Sequence, residues 1–226
     1  MKKNLIDFFI AEKTRRRLTL TGFCALLLIV LSVIFLTRRL WFDCTASLIT
    51  APDTSRRCDV IVFESWGYPF RYVMTAAFEL QKNGSGKVIY FTEYLPNRQA
   101  TMSDVEIPKY YAQMLELYFK GEGIDETNIR HIPVTPKDPV TWNTAVTVID
   151  SIANHGYRTM LLVSPWYHSR RSYDVYAEAG KRRGVSVYCK PVEGGMTRAN
   201  WWQTHSGMTQ VFGELVKLIY YRFKME

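Results

Sequence analysis

A chain of 226 residues with 47% apolar composition can bury one substantial core, and its composition is neither that of a disordered protein nor that of a repetitive one. Its formal charge of +8 would suit a nucleic-acid binder only if it lay on the folded part. The first 39 residues, however, carry a net of +6, which leaves about +2 for the remaining 187, so DNA or RNA is not an expected partner.

Leu18 to Leu36, LTLTGFCALLLIVLSVIFL, contains no charge over 19 residues. At ~1.5 Å rise per residue, a helix of that length matches the roughly 30 Å hydrocarbon core of a bilayer. The stretch TRRLWFDC that follows stands where a secretory signal would place small residues for cleavage, so the segment reads as a retained anchor. Trp41, Phe42 and Asp43 before Cys44 likewise do not fit a lipoprotein. Six Lys and Arg precede the span and four follow it within about 20 residues, a bias that favours a cytoplasmic amino terminus. The expected organisation is a cytoplasmic tail over 1–17, a transmembrane helix over 18–36, a juxtamembrane linker over 37–57 and an extracytoplasmic domain over 58–226 of an inner-membrane protein, with the lipid bilayer as partner. Cys44, Cys58 and Cys189 would then lie in the exported portion, where a Cys44–Cys58 disulfide and simple free thiols are both open readings.

Beyond the linker, short β-rich runs alternate with helical stretches. DVIVF (59–63), KVIYF (87–91), IRHIP (129–133), RTMLLV (158–163) and VSVYC (185–189) read as strands. The helices between them are expected over 71–82, 104–119, 142–155 and from the fourth strand to about 179, with a last one over about 206–223. Thr141 reads as an N-cap and Gly156 as a helix stop. Near-continuous apolar strands alternating with helices predict an α/β, Rossmann-like, three-layer αβα fold with a mostly parallel sheet, preceded by the transmembrane helix.

In such sheets ligands bind beyond the carboxyl ends of the strands. The first strand delivers Glu64 and Ser65 there, the second Glu93, and the segment after the third Thr141 and Asn143. The fourth delivers Ser164 and His168, within VSPWYHSRR (163–171). His168 titrates near neutrality and is a candidate general base or anion binder, against a plain helix-start residue capped by Ser164. Glu64 and Glu93 are a candidate acid/base pair, against two solvated carboxylates. Ser65 lacks the preceding glycine of a nucleophile elbow and is a weaker candidate. Arg170 and Arg171 diverge by ~100° on a helix, so one is expected to hold an anion while the other is solvated. Asn143 either orients substrate or caps its turn, and Trp201 and Trp202 either form a lid or pack. No GxGxxG, P-loop, HExxH or CxxC pattern occurs, so neither a cofactor nor a metal is inferred.

The stretch LLVSPWYHSRRSYDVYAEAG resembles the SanA/YdcF-like family, whose pattern is a strand, a Ser or Thr, a Tyr-His, an Arg and a helix ending in Gly. TWNTAVTV is similar to the family's Ser/Thr-x-Asn-Thr helix start. Arg71 before an Ala-rich helix, Glu106, the tryptophans 201 and 202, and GELVKLIYY with Glu214 and Lys217 fall in the family's order, over about Cys58 to Tyr221. The resemblance implies a Rossmann-like fold, often membrane-anchored, linked to cell-envelope biogenesis. It departs at FESWG and FTEY, where the family has glycine-rich turns. Three readings follow. One is an envelope protein acting on or binding an anionic phosphorylated lipid or glycan, held by Arg71, Arg170 or Arg171, with His168 moving the proton. Another is a non-catalytic envelope binding module. The third, with the orientation reversed, is a cytoplasm-facing small-molecule enzyme.

Overall fold

The computed structural model describes residues 10–11, 17–64, 70–94, 117–119 and 121–225. Five strands, β1 (Val60–Phe63), β2 (Val88–Tyr94), β3 (Ile129–Val134), β4 (Thr159–Pro165) and β5 (Ser186–Val192), form one sheet in the order β3-β2-β1-β4-β5. Every pairing within it is parallel. β1 is the hub, because after β3 the chain crosses back over β1 and adds β4 and β5 on its other side. Buried on both faces, β1 is apolar at every position, as a central parallel strand requires.

The helices follow from apolar spacing. α1 is Leu20–Leu36, α2 Arg38–Ile49, α3 Arg71–Lys82, α4 Val140–Asn154, α5 Trp166–Arg183 and α6 His205–Met225. α3 buries Val73, Met74, Ala77 and Phe78 against Ile61, Phe63, Phe91 and Val163 on one side of the sheet. On the other side α4 contributes Ala145, Val148 and Ile152, α5 contributes Val175, Tyr176 and Ala179, and α6 contributes Tyr221, all against Val60, Val62, Tyr90 and Leu162. Helices thus cover both faces, the three-layer α/β arrangement. Of the helix expected over 104–119, only 117–119 are among the described residues, and these are helical.

Two boundaries differ from the sequence reading. α4 begins at Val140 with Pro139 at its N-cap, so Thr141 lies inside the first turn and its backbone N–H donates to Tyr221 Oη at 3.0 Å. β2 runs on through Tyr94 because Glu93 pairs with Pro133 and Tyr94 with Val134. The polar FTEY stretch is therefore strand, held by its neighbour and not by its own composition.

The folded domain, residues 45–226, includes much of the expected linker. Ala46, Ile49 and Ala51 are buried, and Ala51 N–H donates to Ser169 Oγ at 2.9 Å. Thr54 N–H donates to the Cys189 carbonyl (3.0 Å) while its hydroxyl accepts from Cys189 N–H (2.9 Å), which covers part of the exposed edge of β5. Cys58 and Cys189 are buried and all four cysteines are free thiols. Burial pushes the Cys58 thiol up to about 11.

In the amino-terminal unit, residues 1–44, the helix expected over 18–36 is helical over Leu20–Leu36. Thr19 caps it, accepting from Gly22 N–H at 3.0 Å. Among the described residues no single helix is long and apolar enough to cross a membrane, whereas α1 and α2 together, bent by 57°, pass that test by length and composition. The break falls at Thr37, whose hydroxyl donates to the Val33 carbonyl at 2.6 Å, a back-bond that bends helices.

Candidate functional site

The order β3-β2-β1-β4-β5 reverses direction between β1 and β4, and a crevice opens there beyond the carboxyl ends of the strands. Residues 60, 62 and 64 share one face by the two-residue period of a strand. Glu64 therefore leaves β1 toward α4 and α5, buried in the same layer as Val60 and Val62. On the adjacent strand the chain passes from Pro165 directly into α5, and the helical period brings His168, Arg171 and Ser172 onto one buried side of it. From α6 comes Glu214, which lies on the stripe Gly207, Val211, Glu214, Leu218, Tyr221 that faces the domain.

These groups form one chain of polar contacts. His168 Nε2 lies 3.2 Å from Glu64 Oε2 and its Nδ1 lies 3.1 Å from Glu214 Oε2. Ser172 Oγ donates to Glu64 Oε2 at 2.6 Å. The Arg171 guanidinium donates to both Glu214 oxygens, from Nε at 2.8 Å and from Nη2 at 3.2 Å, and to the Thr141 hydroxyl. It also stands over the Tyr221 ring, 5.3 Å from its centroid. Lys217, half-exposed, donates to Glu214 Oε1 at 3.0 Å.

The imidazole has two consistent bonding patterns. As imidazolium it donates to both carboxylates. As the neutral Nε2–H tautomer it keeps the bond to Glu64 while Nδ1 accepts from Arg171 Nη2, 2.8 Å away. Burial and the Arg171 charge oppose the proton, but the Glu214 charge and the hydrogen bonds to Glu214 and Glu64 outweigh them and raise the pKa above 6.5. Burial alone would raise the Glu64 carboxyl, yet the His168 bond and charge, the Ser172 hydroxyl and the Arg171 charge bring it below its ordinary 4.5. Glu214 is likewise held well below 4.5 against burial, by His168 and Arg171. Both acids are ionised and the histidine is the titratable link between them.

A cavity of about 190 Å³ opens on this network, lined by Glu64, Phe70, Pro165, Tyr167, His168, Gln210, Glu214 and Lys217. Phe70 stacks on Tyr72 with centroids 5.5 Å apart, and Tyr72 is hydrogen-bonded to Tyr167, so one wall is aromatic and the floor is charged. Glu64 Oε1 is buried with no hydrogen-bond partner. Leaving a buried carboxylate oxygen unmatched costs several kcal/mol in typical cases, and a donor brought into the cavity would satisfy it.

Of the residues singled out from sequence, Glu64, His168, Arg171 and Thr141 come together here. Arg171 holds Glu214 and Thr141, and Arg170 pairs instead with Asp174 at 3.1 Å, one turn on. Neither arginine lines the cavity, where Lys217 and His168 stand instead. Asn143 donates to the Lys137 and Pro139 carbonyls at 2.9 and 3.2 Å, which makes it the brace of the loop before α4. Ser164 is buried within β4, does not cap α5, and its hydroxyl is without a partner. Arg71 is exposed at the start of α3. Ser65, Glu106 and the Glu93 side chain lie outside the described residues. Trp201 is fully buried and packs edge-on against Phe212 at 5.8 Å, a core residue and not a lid. Glu214, Ser172 and Lys217 had no role assigned from sequence. Glu214 was discoverable as the one acid on an otherwise apolar or small 4-3-4-3 stripe.

Fold and site together define a class, a Rossmann-like α/β domain with a charged cleft at its topological switch point. Comparison of the chain with family models, curated proteins and solved structures finds no match in any of the three.

Proposed function

We propose that this chain is a membrane-anchored, extracytoplasmic protein of the SanA/YdcF-like kind that acts on an anionic cell-envelope precursor, a phosphorylated lipid or glycan. The observation that carries the reading is the cavity at the switch point, with an unmatched, ionised Glu64 oxygen on its floor and aromatic side chains on its wall. Glu64 accepts a hydrogen bond from a substrate hydroxyl or an attacking water. His168 behind it gives or takes the compensating proton, since its two ring nitrogens stand within hydrogen-bond reach of Glu64 and Glu214. Lys217 at the rim meets the negative charge, while Phe70, Pro165 and Tyr167 receive the apolar part. Arg171 positions Glu214 and His168 and does not touch substrate.

Glu64→Gln keeps the shape and removes the charge, so it is the direct test. In a strain lacking this chain an envelope precursor should accumulate in lipid and glycan profiles. The wild-type chain should restore the profile, and Glu64→Gln, folded and at wild-type level, should not. An unchanged profile in the deletion strain overturns the substrate class.

The anchor reading rests on the uncharged run in α1, whose large side chains from Leu20 to Leu36 are mostly exposed, and on the six cations before it. A reporter fused after Glu226 should show the activity of an exported domain. A fusion active only in the cytoplasm reverses the orientation.

One observation favours the binding-module reading: both His168 nitrogens are already engaged by buried groups, as in a tie that merely holds α5 to β1 and α6. Under that reading Glu64→Gln restores the profile in full.

A further inference from the structure

α6 has two apolar faces, and the fold uses one. At ~100° per residue, the stripe packed on the domain and the row Phe212, Val216, Ile219, Phe223 lie roughly 150° apart around the helix. The outer row is exposed, with Val216 at 67% and Phe223 at 79%, and it extends over ~16 Å of helix. Arg222 flanks it on one side and Lys224 on the other, while Lys217 sits nearer the inner stripe and is bonded to Glu214. Glu214, the only acid in α6, points inward and is paired.

We infer that this outer face of α6 seats on an anionic lipid surface, the apolar row at the acyl–headgroup boundary and Arg222 and Lys224 among the headgroup phosphates. The distribution of charge decides the occupant. A helix in a protein interface has no need of cations on both flanks and acids on neither, whereas an interfacial helix gains from both features. Apolar area is buried in the boundary, and each Lys or Arg near an anionic surface contributes roughly a fivefold gain in binding, the equivalent of ~1 kcal/mol.

The test uses the full chain, with Cys24 and Cys44 replaced by serine, in vesicles of phosphatidylcholine with or without phosphatidylglycerol. A nitroxide label is placed at Val216→Cys and, as the exposed control, at Lys181→Cys on the far end of α5. Collisions with dissolved oxygen report lipid, and collisions with a water-soluble nickel chelate report solvent. With phosphatidylglycerol the label at 216 should lose nickel contact and gain oxygen contact, while the label at 181 stays in solvent. High salt should weaken the effect, and Arg222→Gln with Lys224→Gln should lower the ratio of docked to undocked label roughly thirtyfold. A label at 216 as open to nickel as that at 181 overturns the inference. So does one shielded from both reagents with spin–spin broadening, which assigns the face to a second copy. Label depth is read whether or not residues 18–36 span the bilayer and whether or not Glu64 proves essential, so a failure here is separable from a failure of the proposed function.

Discussion

Substituting Arg171 with methionine is expected to destabilise the domain by about 3–5 kcal/mol, because it leaves the buried Glu214 carboxylate without the guanidinium that is bonded to both its oxygens. The guanidinium is 2% exposed and makes bonds to both Glu214 oxygens. For a chain of this size the loss corresponds to a fall in Tm of roughly 10 °C. Arg170→Met is the matched control. Its bond to Asp174 joins two partly exposed side chains one turn apart, an interaction worth about 0.3–0.5 kcal/mol. Thermal melts of the two variants side by side check the claim, and equal losses would mean that the network does not hold α5 to α6. The double variant Arg171→Met with Glu214→Gln should lose less than the two single losses added, because neither member then remains as a buried unpaired charge.

The contrast between these two arginines also shows what was readable in the sequence. That only one of them turns inward follows from the helical period alone. Which one it is follows from counting onward from His168, since 171, 172, 175 and 179 form its i+3, i+4 and longer neighbours and are all buried. The strands were legible because a central parallel strand must be apolar throughout, and β1 is. The end of β2 was not, because Glu93 and Tyr94 are held in register by Pro133 and Val134, far away in sequence. Glu214 belongs to a motif the sequence displays, but its role depends on α6 crossing over α5, which no local pattern encodes. Asn143 was ambiguous for a related reason. A first-turn asparagine bonds to whatever carbonyl lies nearest, and here that is its own approach loop.

Replacing His168 with glutamine is expected to alter two measurements that ordinarily move separately. The first is the dependence of stability on pH. The folded-state pKa of His168 is raised above 6.5, so the stability it contributes is fully present below about 6.5 and is lost as pH rises through the raised value. Glu64 and Glu214 shift the opposite way, below 4.5, so their contribution is present above 4.5 and is lost as pH falls through their lowered values. Wild-type protein should therefore be most stable between these limits, with a decline on the alkaline side that belongs to His168. Glutamine has no proton to lose in this range, so in the variant the alkaline decline should flatten while the acid decline persists. The second measurement is function. A glutamine amide can take over one hydrogen bond to Glu64 but cannot exchange a proton, and loss of a proton-transferring group typically costs 10²–10⁴ in rate. Melts across roughly pH 4 to 9 and the rate at which the accumulated precursor is cleared on induction of the variant separate the outcomes. A flattened profile together with slowed clearance places His168 at the chemistry. A flattened profile with wild-type clearance makes it a structural tie and leaves the binding module as the reading of the site. A pH profile identical to wild type would mean that His168 is not the charge between the two carboxylates, and both readings of the cleft would fall.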